Sequence, residues 1–198
     1  MAAETCRPLG HGLETTFPRP SQKLPENVDF FALIAQVFDF FQFFRVFCSK
    51  NSENPQISRL LRDGETLEDL RRLSPEEILM RWVNYHLERA GTQRRLHNFT
   101  SDIVDSEIYT HLLHQIAPNG SGVTLSPLGV HGNVPRAGAM LDEAEKLDCR
   151  EFVTATDVAA GNYKLNLAFV ANLFNKHPNL PDPGADEVGE FLKKSKID

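Results

Sequence analysis

The segment over residues 161–178, GNYKLNLAFVANLFNKHP, is the feature that most constrains the fold of this chain. Leu165, Phe169 and Leu173 recur at intervals of four residues, and Phe174 lies beside them. A helix that is apolar around most of its girth has to be covered on several sides. We therefore predict that this helix lies at the centre of a bundle of helices.

A helix over residues 75–90 is predicted to supply part of that cover. Its start is a capping box, in which the Ser74 hydroxyl accepts a hydrogen bond from the backbone of Glu77 and the Glu77 side chain reaches back to Ser74. Proline at the first helical position favours the same start, and Gly91 is a typical stop. Apolar residues recur at steps of three and four along the segment, which predicts one buried face.

Two more helices complete the predicted bundle. One runs over residues 105–118 with Ser106 as its cap, and the other runs over residues 136–149. A single helical turn is predicted over 154–158 and a loop over 119–135. No stretch alternates like a strand, so the predicted fold class is all-α. Three charged residues of the helix over 136–149 are predicted to face the solvent: Glu143, Glu145 and Lys146.

The chain resembles the second calponin-homology domain of the plastin/fimbrin family over residues 57–178. Five blocks carry the resemblance, in the family's order: LLRDGETLEDL, LSPEEILMRWVNYHLERAG, NFTSDIVDSEIYTHLLHQIAP, AEKLDCREFVTATDV and GNYKLNLAFVANLFNKHP. The resemblance implies a calponin-homology fold, with four main helices, short connecting helices and a last main helix buried between the others. Tyr163 departs from the family, which usually has proline at this position.

The resemblance also implies a division of the chain. Residues 57–73 are expected to form an interdomain-type linker helix, 74–178 the calponin-homology domain and 179–198 a C-terminal tail. Residues 1–56 do not resemble the family, and they are too few for the first domain of a pair. Their content of proline, glycine, threonine and charge predicts a flexible segment that contains a Phe-rich helix over 30–48.

Actin-filament binding is the function that the resemblance implies, as a contribution to actin cytoskeleton organisation or bundle assembly in the cytoplasm. In the second domain of a pair, the first main helix is the implied contact element. Five residues of the helix over 75–90 are therefore predicted to point outward and to contact filamentous actin: Arg81, Asn84, Tyr85, Glu88 and Arg89. Tyr85 is expected to lie flat on an apolar patch, and an ordinary solvated face is the competing interpretation.

Basic doublets occur on either side of this helix, at Arg71 and Arg72 and at Arg94 and Arg95, and they are predicted to steer a partner. Three other functions stay open at this point. The chain could be an adaptor for a protein other than actin, a membrane-tethered form, or a truncated form without actin binding. The sequence does not decide whether a lone second-type domain binds actin measurably, nor the oligomeric state.

The sequence contains no pattern of a cofactor site or an active site. The twelve-residue loop of a calcium-binding EF-hand does not occur, and His111 and His114 make an incomplete metal site. Cys149 is expected to be a buried structural thiol, and no nucleophile or phosphate-loop motif occurs. We therefore expect a protein without enzymatic activity and without a cofactor. With a net charge of -6 and no basic stripe, nucleic-acid binding is also not expected.

The Phe-rich run over residues 30–48 has three possible interpretations. It is long enough for a membrane helix, but Asp39 at its centre costs about 3 kcal/mol on insertion, which nearly cancels the apolar gain. It could instead fold back onto the calponin-homology domain, or be sequence that is not native to the protein. The sequence leaves these alternatives open.

Overall fold

The computed structural model describes residues 55–182 and residue 184. The described part is helical and has no strand, which confirms the predicted all-α class. Four main helices are joined by short ones, as predicted. The α-helices are α1 (Leu67–Arg71), α2 (Pro75–Arg89), α3 (Glu107–Ile116), α4 (Asn133–Glu145), α5 (Ala155–Ala159) and α6 (Tyr163–Lys176). Three 3-10 segments accompany them, at Pro55–Leu60, Ser101–Ile103 and Ser126–Gly129.

Several predictions lie outside the described residues. They are the Phe-rich helix over 30–48 and nearly all of the segments 1–56 and 179–198. Within the described ranges, no helix has the length and apolar character that crossing a bilayer requires. The proposed boundaries between linker, domain and tail stay predictions.

Helix α6 lies at the centre of the core, as predicted from the apolar residues around most of its circumference. Every residue from Ala168 to Phe174 is buried, so this part of the helix is covered on all sides. The Phe174 ring meets the Trp82 ring edge-on with 5.2 Å between centroids, and the Phe169 ring meets Tyr109 in the same way at 5.3 Å. Edge-to-face pairs at this spacing are favourable beyond the area that they bury.

Helix α2 begins at the predicted capping box. The Ser74 Oγ accepts a hydrogen bond from the Glu77 backbone N–H at 3.3 Å, and the Ser74 backbone N–H donates to Glu77 Oε2 at 2.8 Å. Gly91 follows the helix with a φ of 69°, a left-handed conformation that glycine adopts without strain. One face of α2 is buried: Ile78, Leu79, Trp82, Val83, His86 and Leu87.

The residues around α3 and α4 depart from the sequence prediction in two places. Ser106 occupies the cap position of α3 with a left-handed φ of 59°, and its side chain makes no capping hydrogen bond. The Asp105 Oδ1 accepts from the Glu107 backbone N–H instead, at 3.1 Å. Helix α4 begins at Asn133 rather than at residue 136, because proline is tolerated in a first helical turn and Pro135 does not delay the start.

The prediction that Glu143 faces the solvent is wrong. Its side chain is buried, and its carboxylate accepts hydrogen bonds from the Thr124 backbone N–H at 2.7 Å and from the Lys146 Nζ at 2.7 Å. A buried carboxylate needs such partners to offset the loss of hydration. Glu143 therefore fixes the loop before α4 against that helix.

The beginning and the end of the described chain meet beside α2. The Gln56 Nε2 donates to Asp182 Oδ1 at 2.6 Å. Two side chains of α2 hold the nearby backbone, since the Trp82 Nε1 donates to the Pro178 carbonyl at 2.8 Å and the His86 Nε2 lies 3.1 Å from the same oxygen. Helix α2 thus anchors the segment that follows α6.

A candidate interaction groove along helix α2

A groove of about 570 Å³ runs along the outer side of α2. Residues 59–62 and residues 95–97 line it together with one stripe of the helix. Four of the five predicted contact residues lie in its lining, namely Arg81, Asn84, Tyr85 and Glu88, while Arg89 lies outside it. The structure therefore brings most of the predicted site to one concave surface.

Arg81 does not point freely outward, so that part of the prediction is wrong. Its side chain is only 11% exposed and forms a two-pronged ion pair with Glu65, with Nη2 at 2.8 Å from Oε1 and Nη1 at 2.5 Å from Oε2. The Nη1 also donates to the Leu60 carbonyl at 3.3 Å. A planar guanidinium matches a carboxylate in this two-pronged geometry. Arg81 therefore ties the segment before α1 to α2 and builds one side of the groove.

The Glu65 carboxylate is held ionised by these contacts. Hydrogen bonds from the Arg81 side chain and then from the Arg62 backbone N–H keep the pKa of Glu65 below its usual value of 4.5. Hydrogen bonds to the charged form lower the pKa of a carboxyl group. The ion pair is thus complete at neutral pH.

Asn84 is a second residue that builds the groove. Its Nδ2 donates to the Leu96 carbonyl at 2.8 Å, and its Oδ1 accepts from the Leu96 backbone N–H at 2.7 Å. Both ends of the Asn84 amide are therefore used within the chain, and its contact with a partner stays a prediction. These two bonds position residues 95–97 beside the helix.

Glu88 and Arg89 are exposed and Tyr85 is half-buried. The Arg89 guanidinium carbon lies 5.6 Å from the centre of the Tyr85 ring, a cation–π distance. The Tyr85 and His86 rings also meet in a T-shaped arrangement, with 5.2 Å between ring centres. Tyr85 thus offers a partner part of its ring rather than a bare face, and Arg89 adds a positive charge beside it.

The basic doublet after α2 divides into two roles. Arg94 forms ion pairs with Asp105 at 2.7 Å and Glu107 at 3.1 Å, so it joins the loop to α3. Among the described residues, the Arg95 side chain donates to the backbone carbonyls of Thr92 and Arg94, and it lines the groove. The sequence did not single out Arg62, whose place in the lining depends on how the segment before α1 folds back.

His111, His114 and Cys149 are the metal and thiol candidates of the sequence. The described residues contain no group of three or more histidine, cysteine, aspartate or glutamate side chains placed to hold a metal ion. His111 is half-buried and His114 is exposed. Cys149 is buried as predicted, and burial raises the pKa of its thiol to about 11, so it is protonated at neutral pH.

Comparison with known proteins gives consistent matches. Residues 73–179 match the family described as the calponin homology (CH) domain. Plastin-3 of Homo sapiens is 51% identical over 144 residues, which cover 69% of this chain and 23% of that protein. Fimbrin of Dictyostelium discoideum is 54% identical over 137 residues, covering 69% of this chain and 22% of that protein.

A solved structure is also similar. The crystal structure of the actin-crosslinking core of Schizosaccharomyces pombe fimbrin has a TM-score of 0.55 and 48% sequence identity, over 61% of this chain and 26% of that chain. The chain therefore spans about a quarter of the length of the relatives that it matches.

Proposed function

The chain belongs to the calponin homology domain family, and from this premise we propose that it binds the sides of actin filaments through α2. Its role is a contact that contributes to the organisation of the actin cytoskeleton or to bundle assembly in the cytoplasm. Its partner is filamentous actin, and the proposal includes no reaction and no cofactor.

The observation that carries the proposal is the likeness to the actin-crosslinking core of fimbrin at 48% identity. That core is the part of the relative that its description links to actin. A likeness of fold alone would not support a function, whereas 48% identity also relates the two sequences.

We propose different roles for the five predicted contact residues. We assign direct contact to Tyr85, Glu88 and Arg89, because their side chains reach the solvent. Arg81 and Asn84 act as positioning residues, since their polar groups are used on Glu65, Leu60 and Leu96. An aromatic side chain beside an arginine is a composition typical of interface hot spots.

Cosedimentation with filamentous actin over a salt series tests this proposal. We expect the full chain to pellet with filaments at tens of micromolar actin, and Tyr85→Ala combined with Arg89→Glu to weaken binding by about tenfold or more. The control for charge is Arg72→Glu, which makes the same charge change at a side chain that is 72% exposed and lies outside the groove. Because Arg72 belongs to a doublet that is predicted to steer a partner, this variant should show a smaller loss of binding, which salt removes.

Pelleting without actin must be subtracted, because the Phe-rich run favours aggregation. A chain that stays in the supernatant with filaments refutes the proposal. Equal weakening by Arg72→Glu would place the contact elsewhere than the Tyr85 face.

A further inference from the structure

The groove along α2 has a local charge that is opposite to that of the whole chain. The chain has a formal net charge of -6. The lining of the groove, in contrast, contains four arginines and two glutamates. A concave surface of one sign on a protein of the other sign concentrates ligands of the complementary charge.

Two of these arginines are available to a ligand. The Arg81 charge is neutralised by Glu65. Within residues 55–182 and 184, the Arg62 and Arg95 side chains form no ion pair with a carboxylate, and both residues are exposed. Each guanidinium can therefore bind a carboxylate without first breaking an existing ion pair.

Apolar side chains lie in the same lining as these charges. Leu61, Met80 and Tyr85 are half-buried and pack against the core with one side, so their other sides face the groove. Clefts of about 300–1,000 Å³ hold a small ligand or several side chains, and the groove lies within that range.

The groove is also rigid. The ion pair between Arg81 and Glu65 fixes one boundary, and the paired hydrogen bonds between Asn84 and Leu96 fix another. A preformed site loses less conformational entropy when it binds a ligand. The remaining carboxylates, Glu77 and Glu88, would repel acidic groups placed beside them and so restrict where a ligand can carry its charges.

We infer that this groove is a docking site for a short acidic segment of a partner protein. Carboxylates of the segment bind Arg62 and Arg95, and apolar side chains between them cover Leu61, Met80 and Tyr85. The site shares Tyr85 and Glu88 with the proposed actin contact, but the inference concerns peptide binding and is tested apart from filament binding.

Fluorescence anisotropy with two synthetic peptides tests the inference on the full chain. The first peptide is fluorescein-labelled and repeats Glu-Glu-Leu-Leu twice, and the second has lysine in place of each glutamate. We expect the acidic peptide to bind at least tenfold more tightly than the basic one at low salt, and its affinity to fall as salt rises.

Charge-reversal variants locate the binding. Arg62→Glu should weaken the acidic peptide by about fivefold, and Arg62→Glu with Arg95→Glu by about twentyfold or more. The matched control Arg72→Glu should change the affinity by less than about twofold. Because Arg95 also caps backbone carbonyls, Arg62→Glu alone is the variant that leaves every described hydrogen bond of the groove in place.

Thermal unfolding must show that each variant retains the fold. Equal binding of the two peptides, or an Arg62→Glu variant that binds as well as the unaltered chain, overturns the inference. Acidic binding that Arg72→Glu removes as strongly as Arg62→Glu also overturns it, because the attraction would then come from overall charge. Loss of filament binding with peptide binding retained would refute the actin proposal alone.

Discussion

The ion pair between Arg81 and Glu65 should be measurable as a coupling energy. The perturbations are Arg81→Met, which keeps an apolar stem, Glu65→Gln, and the double variant. Hydrogen bonds to charged groups contribute about 1.5–3 kcal/mol when shielded from water. Because the Arg81 side chain is 11% exposed and that of Glu65 is 25% exposed, solvent screening places the expected coupling at about 1–2 kcal/mol.

Urea unfolding at several pH values is the assay. The folded-state pKa of Glu65 is lowered, chiefly by the hydrogen bond from the Arg81 side chain and then by that from the Arg62 backbone. Such a carboxylate stabilises the fold above its unfolded pKa of 4.5, and this stability is lost as the pH falls through the folded pKa. The difference between Glu65→Gln and the unaltered chain should therefore be full at pH 7 and shrink as the pH falls below the unfolded pKa of 4.5.

Glu68→Gln is the matched control for this prediction. Glu68 pairs with Arg71 and Arg72 on the surface and is 56% exposed, so its loss should cost less than about 0.5 kcal/mol. A double-mutant coupling below about 0.3 kcal/mol would show that the pair does not fasten the groove. A pH-independent effect of Glu65→Gln would contradict the assignment of its charge.

Three further predictions concern the core and the helix connections. Gly161→Ala should destabilise the fold by about 2 kcal/mol in urea unfolding. The φ at this position is 66°, and a Cβ would lie 2.7 Å from the Thr100 carbonyl oxygen. A neutral effect would contradict this close approach. Trp82→Ala should cost about 3–5 kcal/mol, since a fully buried ring is lost, and a loss below about 1 kcal/mol would contradict the packing. Burial lowers the pKa of His86 to about 4, so protonation favours the unfolded state and stability should fall by about 3 kcal/mol as the pH drops from 6.5 to 4. His86→Gln should flatten that part of a pH–stability profile, because glutamine does not titrate there; an unchanged slope would assign it to other groups.

Local signals in the sequence predicted the helices well. The capping box at Ser74 involves residues three positions apart, so both partners are visible in the sequence. The burial of α6 follows from its own apolar residues, so it can be predicted without knowing which elements pack against the helix. For these elements the short-range pattern and the packed structure require the same conformation.

The outward direction of polar side chains could not be predicted in the same way. Arg81 and Asn84 lie on the polar side of α2, but each has a partner that comes from a connecting segment rather than from the helix. Glu143 likewise meets Thr124, a residue of the loop before its own helix. Helical periodicity separates the core face from the rest of a helix, but it does not distinguish solvent from a loop that packs over the polar side.

The cap of α3 shows a second limit of sequence reasoning. Ser106 is the residue type that favours a cap, and the helix does begin after it. Its φ is left-handed, and the Asp105 side chain accepts the hydrogen bond from the start of the helix instead. The position of the helix start was therefore predictable, whereas the hydrogen bond that stabilises it was not.

The meeting of Gln56 and Asp182 beside α2 has a mechanical consequence. The two ends of the described residues therefore lie at one edge of the bundle. Tension applied through both ends would therefore peel this edge open one contact at a time rather than stretch the bundle along its length. After the contact between Gln56 and Asp182, the next contacts to break would be those of Trp82 and His86 with the Pro178 carbonyl. Until they break, they would protect the core around α6 from the applied force.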